Sequence, residues 1–235
     1  MIDISLKAYS RAVPILMILS LVGGLFGEMY VPSLMMAKDA AATAANLREN
    51  DALFRLGFAA YLLEAICDVL IAWVFYVLMR PVHRDLALLS VLFALVSTTL
   101  FAVTKMLYFA APMFVRGSAY LTAFPPDQLD TLATIFLSFY GVLSGITMLF
   151  YGIPWIIRGY LVLRSDFLPR WLGVVMAVAG LGFAIKTITY VLAPAYSSPL
   201  WLLPMFLNLL AVTFWLAARG IDEDRWVAAA AAARP

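Results

Sequence analysis

The sequence predicts an all-α, polytopic integral membrane protein: a bundle of six transmembrane helices with both termini on the cytoplasmic side. Composition is the first sign. Of 235 residues, 65% are apolar and 13% charged, against about 25% charged in an ordinary soluble domain. So few charges cannot cover the exterior of a water-soluble bundle. The second is the series of apolar runs near 20 residues long, the length that crosses a bilayer as a helix. The third is an alternation of Lys- and Arg-rich loops with Lys- and Arg-poor ones.

The runs place spans at 12–34, 54–79, 86–110, 131–157, 170–193 and 199–218. Lys7 and Arg11 precede the first, as in a secretory signal, but its apolar run is too long for a signal core and contains Glu28, so it reads as a retained span. Asp39 is placed to cap a short outer helix, Ala40–Leu47, between spans one and two, and Asp51 to cap span two. Arg80 to Arg84 form the turn into span three. Between spans three and four, Met113–Phe124 reads as a second outer segment lying along the membrane, with Pro125-Pro126-Asp127 opening span four. Pro154 predicts a kink near the end of span four. The uncharged 194–199 turn makes spans five and six a hairpin. Residues 1–220 read as one transmembrane domain and 221–235 as a flexible tail.

Orientation follows from the basic residues. Lys7, Arg11, Arg80, Arg84, Arg158, Arg164, Arg170, Arg219, Arg225 and Arg234 fall on one side, Lys38, Arg48, Arg55 and Arg116 on the other. The richer side is the cytoplasmic one. Gly23-Gly24 with Gly27, and Gly141 with Gly145, set small residues about four apart, the spacing of close helix contact.

Several functions are excluded. Cys67 is the sole cysteine and His83 the sole histidine, so no intrachain disulfide, thiolate metal site or multi-histidine centre can form within one chain. No metal and no cofactor is expected. The net charge of +2 comes from scattered basic residues, which argues against nucleic acid as a partner. Membrane lipid and a small ligand are the partners the composition allows.

Five ionisable residues interrupt the apolar runs: Glu28, Glu64, Asp68, Lys105 and Lys186. An unpaired charge in hydrocarbon costs several kcal/mol. From the helical rise, Asp68 falls at the midplane, Glu64 roughly 5 Å outward, Glu28 and Lys186 roughly 7 Å and Lys105 roughly 11 Å. Lys105 is near enough to the outer interface for its stem to snorkel there. Tyr61, Glu64 and Asp68 share one helix face, Thr98, Phe101, Lys105 and Tyr108 form a second stripe, and Gly182, Lys186, Thr189 and Tyr190 a third. Tyr140 and Asn208 lie at similar depth on spans four and six. The expected ligand site is therefore Glu28, Tyr61, Glu64, Asp68, Thr98, Lys105, Tyr140, Lys186 and Asn208. Structural ion pairing explains such charges too, but three carboxylates face two lysines, so one proton or one cationic ligand is missing from a fully ionised cluster.

The stretch Gly57-Phe58-Ala59-Ala60 through Asp68, then Leu78-Met79-Arg80-Pro81-Val82 and Leu86-Ala87-Leu88-Leu89, resembles a bacterial family of uncharacterised multi-pass membrane proteins (domain of unknown function, family 4386). Gly159-Tyr160-Leu161, Arg164-Ser165, Phe167-Leu168-Pro169-Arg170 with Leu172-Gly173, and Trp215 to Gly220 resemble its second half. The resemblance implies a bacterial inner-membrane helical bundle and carries over no catalytic residue. Family members tend to place an acidic residue in the last span, where this chain has Asn208.

These features lead to one expectation and two alternatives. The first is an outward-facing polar cavity that binds or transports a small cationic or lipophilic molecule, with protonation of the Glu64/Asp68 pair coupled to binding. The second is a cofactor-free cyclase- or isomerase-type enzyme in which Asp68 or Glu64 protonates a lipophilic substrate. The third is a structural, assembly or sensor role.

Overall fold

A computed structural model describes residues 6–117 and 121–233. Among these the chain is helical with no strand, and six helical segments are long and apolar enough to cross a membrane. The fold is that of a multi-pass membrane helical bundle.

The first span, Leu6–Met35, is built from α1 (Leu6–Gly24), a π-helical stretch Leu25–Tyr30 and α2 (Val31–Met35). The short helix α3 (Ala40–Glu49) follows as expected, with Asp39 accepting the Ala42 N–H at 2.8 Å. α4 (Asp51–Met79) is the second span. Asp51 was expected to cap it, but its carboxylate is taken by the guanidiniums of Arg55, at 2.8 Å, and Arg116. The turn after Met79 leads to α5 (Arg84–Ala110), whose Leu86 N–H is accepted by His83 Nδ1 at 3.3 Å. The lone histidine is a helix cap.

Of the segment expected at Met113–Phe124, the described part contains one helical turn, α6 (Pro112–Val115), and residues 118–120 lie outside the described ones. α7 begins at Pro126 and runs to Arg164, seven residues beyond the expected end at 157. Pro154 sits inside it without ending it, because apolar residues continue to Leu163 and keep the helix packed. α8 (Arg170–Leu192), two 3₁₀ turns at Pro194–Tyr196 and Pro199–Leu202, and α9 (Leu203–Ala218) complete the spans. Residues beyond Gly220, expected to be a flexible tail, contain α10 (Glu223–Ala232). Asp222 accepts the Arg225 N–H at its start, and Trp226 Nε1 donates to the Leu78 carbonyl at 2.8 Å.

The helices divide into two compact units where the sequence suggested one domain. One comprises residues up to Ile18, Cys67–Thr98 and everything from Gly145. Its core includes Phe75, Leu78, Trp155, Leu161, Leu172, Met176 and Phe183. Here α7 and α8 run antiparallel with backbones almost touching. A Cβ on Gly159 would lie 2.6 Å from the Gly173 carbonyl, and one on Gly152 would lie 2.5 Å from the Gly180 carbonyl. One heptad further, Thr187 Oγ1 donates to the Gly145 carbonyl at 2.9 Å. The contact repeats every seven residues, as in antiparallel knobs-into-holes packing. Gly141, expected to share that role with Gly145, faces open space.

The other unit comprises Leu19–Ile66 and Thr99–Ser144. Val31, Met35, Leu47, Phe54, Tyr108, Ala133 and Leu137 belong to its core. Ion pairs tie α3 to α7 and the residue after α6 to α4: Arg48 to Asp130 at 2.6 Å, and Arg116 to Asp51.

Candidate functional site

The densest polar cluster of the second unit grows from an irregularity in the first span. Gly23 and Gly27 let this helix press on α4: Cβ atoms there would lie 2.8 Å from the Ala60 carbonyl and 2.6 Å from the Gly57 carbonyl. Gly24 faces the Glu64 carboxylate, whose Oε1 lies 2.7 Å from where its Cβ would be. Any larger residue would push Glu64 away. The π-helical stretch starts at the next residue. Its wider turn departs from the regular i→i−4 ladder, and the Gly27 carbonyl accepts from Lys105 Nζ at 3.4 Å.

Lys105 is the centre of the cluster. Its side chain is 1% exposed, so it does not snorkel to an interface. The ammonium stands 3.6 Å from Glu28 Oε1 and 3.7 Å from the centroid of the Tyr140 ring, with the rings of Tyr61 and Tyr108 at 5.0 and 5.1 Å. Three aromatic faces around one cation form a cage whose negative quadrupoles replace water. Glu28 also acts electrostatically on the Tyr140 hydroxyl, and Glu64 on Lys105. Glu28 is the approachable member, its side chain 24% exposed. Tyr108 stacks on Phe54 at 4.9 Å, and its buried hydroxyl has no hydrogen-bond partner among the described residues.

Of the nine residues expected to share a site, Glu28, Tyr61, Glu64, Lys105 and Tyr140 belong to this unit. Asp68, Thr98, Lys186 and Asn208 belong to the first unit. Lys186 donates to Ser197 Oγ at 2.9 Å, with the Tyr190 ring 5.9 Å away. Asn208 is buried, and its Oδ1 lacks a hydrogen-bond partner among the described residues. Thr98 is half-buried.

Asp68 shares its unit with a charge the sequence reading assigned to a loop. Arg158 is buried inside α7, donates from Nε to Ser90 Oγ at 3.0 Å, and sits 4.9 and 5.0 Å from the Phe75 and Trp155 rings. Asp68 acts on it electrostatically. With Arg158 added, Glu28, Glu64 and Asp68 stand against Lys105, Lys186 and Arg158, three of each sign, so the surplus of carboxylate read from five residues disappears. Within the second unit, Glu28 and Glu64 both act on the one caged ammonium, Lys105. A signal for Arg158 was present, because Ile156-Ile157 precede it and apolar residues run on to Leu163. Nothing in composition or spacing marked the π-helical stretch.

Six spans and a charged, tyrosine-lined nest define a polytopic membrane protein with a polar interior cluster. Residues 14–220 match the family described as domain of unknown function (DUF4386), and the chain belongs to that family. It is similar to an uncharacterized protein of Archaeoglobus fulgidus, 28% identical over 155 residues that cover 66% of this chain and 78% of the relative. No solved structure matches it.

Proposed function

We propose that the protein binds a small cationic or lipophilic-cation molecule within the membrane, at Glu28 and Glu64, and that one of these carboxylates takes a proton when the ligand is absent. The observation that carries this reading is the local charge count: two carboxylates against one caged ammonium, in a setting where surplus charge is costly. The tyrosine rings support it, since a cage that holds an ammonium also suits an organic cation. Glu28, partly exposed, is the side from which a ligand enters.

The test is a thermal shift of the purified protein with methylammonium, benzylammonium and tetraethylammonium across pH. Saturating ligand raises Tm by an amount set by its affinity. At least one of these cations should raise the melting temperature of the parent and leave Glu64→Gln unmoved. No shift with any of them at any pH overturns the reading. The same desolvated carboxylate beside aromatic rings suits an acid that protonates a lipophilic alkene, and turnover of such a substrate without any ion gradient would favour the enzyme.

The proposal places the ligand entrance on the side opposite the termini, with both termini cytoplasmic in a bacterial inner membrane. With Arg158 removed from the loops, the Lys/Arg count still stands at nine against four. Native Cys67 is buried, so single cysteines report cleanly. Asn46→Cys should label from outside intact cells and Asp222→Cys should not; the reverse pattern would invert the topology.

A further inference from the structure

A second polar feature lies in the first unit, where the loop between α7 and α8 meets the end of α9. Gly220, at φ 67°, ends α9 in the left-handed region, and its N–H and that of Arg219 both bond to the Trp215 carbonyl. The chain then turns back, and the Asp222 N–H bonds to the Phe167 carbonyl at 3.1 Å. Between these strips of backbone lies a cleft of about 550 Å³ lined by Asp166, Arg170, Trp215, Arg219, Asp222 and Arg225, among others. Arg225 is occupied by the Asp222 carboxylate and the Asp166 carbonyl, each at 3.1 Å. Arg170 and Arg219 are exposed, and their guanidiniums have no ion-pair or hydrogen-bond partner among the described residues. Against these two free guanidiniums stands one uncommitted carboxylate, Asp166.

Arg170 opens one span and Arg219 follows another, so both stand at helix ends, where a span meets the headgroup region. Trp171 and Trp215 pack edge to face beside them at 5.7 Å, and Trp171 is 46% exposed. Tryptophan at this level anchors in the headgroup layer, and planar guanidiniums suit bidentate phosphate recognition. We propose that Arg170 and Arg219 form a binding site for a phosphate-bearing anion, supplied in the membrane by a phospholipid headgroup. The site is independent of the Lys105 cluster.

The detergent-solubilised protein, offered equal phosphatidylglycerol and phosphatidylcholine and weighed by native mass spectrometry, should retain the anionic lipid preferentially. Loss of two charge-assisted contacts in R170Q/R219Q should lower that preference at least about fivefold. Arg84→Gln, an exposed arginine outside the cleft, should preserve it. Competition by millimolar inorganic phosphate would show that the phosphate group itself is recognised, and its absence that the lipid must bring its glycerol and chains. If the double variant does not fold, each single variant should lower the preference. An unchanged preference in the arginine variants, or an equal loss in Arg84→Gln, overturns the site.

Discussion

Glycine presses helices together in both units of this molecule, to opposite ends. Along α7 and α8 the close contacts at Gly159, Gly152 and Gly145 recur at an even heptad, and what they meet is backbone, apolar and aromatic side chains and one threonine hydroxyl, with no charge among them. Along the first span and α4 the contacts at Gly23 and Gly27 are just as tight, but Gly24 between them gives its space to a carboxylate. The first seam spends its missing side chains on contact alone. The second uses one of them to seat a charge that lipid would reject. A small residue in a membrane helix is therefore informative only with its partner: facing backbone it lets helices close, facing a carboxylate it makes room for one.

The most damaging way to break this contrast is Gly180→Leu. A branched side chain cannot occupy a position where even Cβ meets the Gly152 carbonyl at 2.5 Å, and overpacking of this kind costs about 3 kcal/mol or more. Loss of the cooperative melt followed by circular dichroism is the expected result. A variant that melts like the parent would mean the seam is not rigid.

Lys105→Met comes next. It leaves Glu28 and Glu64 without their cation, and removing one partner of a buried pair costs about 3–5 kcal/mol. Adding Glu28→Gln should recover part of that loss, a coupling visible in the four melting curves of a double-mutant cycle. Strict additivity would show that the 3.6 Å pair contributes nothing.

Asp68→Asn should cost less, about 2 kcal/mol, because Arg158 keeps Ser90 and two aromatic rings when the opposing charge goes. If the variant melts unchanged but no longer binds cations, Asp68 belongs to the ligand site and not to the support of Arg158.

The smallest effect on stability belongs to Gly24→Ala, below about 1 kcal/mol, since the atom in its way is the far end of a flexible side chain. Cation affinity is where it should register. If neither affinity nor stability moves, the seat for Glu64 is not a functional feature.

Much of this architecture was legible in the chain. Hydropathy placed six spans with no end more than seven residues from the one found, and Asp39 and Pro126 marked helix starts correctly. The polar stripes of α4 and α5 brought Tyr61, Glu64 and Lys105 to notice before any contact was known. Arg158 escaped because a charge near the end of an apolar run was read as the beginning of a loop, whereas cation–π packing keeps it inside the helix. The seven-residue glycine period is divided between two helices, Gly145, Gly152 and Gly159 on one and Gly173 and Gly180 on the other, so it has meaning only when the two are set antiparallel. The cage around Lys105 depends on which way three tyrosines turn, and that is set by tertiary packing that no local pattern encodes.

The π-helical stretch from Leu25 to Tyr30 has an effect on how length, as distinct from identity, is written into this chain. A turn that accommodates an additional residue rotates everything after it by about 100° relative to an uninterrupted α-helix. Val31 and Met35, buried beyond it, owe their inward aim to that offset as much as to their own side chains. Because the wide turn absorbs that residue, removing one from the stretch would restore a regular helix and leave Val31 and Met35 aimed as they are, whereas the same deletion inside α1 would turn the two ends of the span about 100° against each other, like a key in a lock.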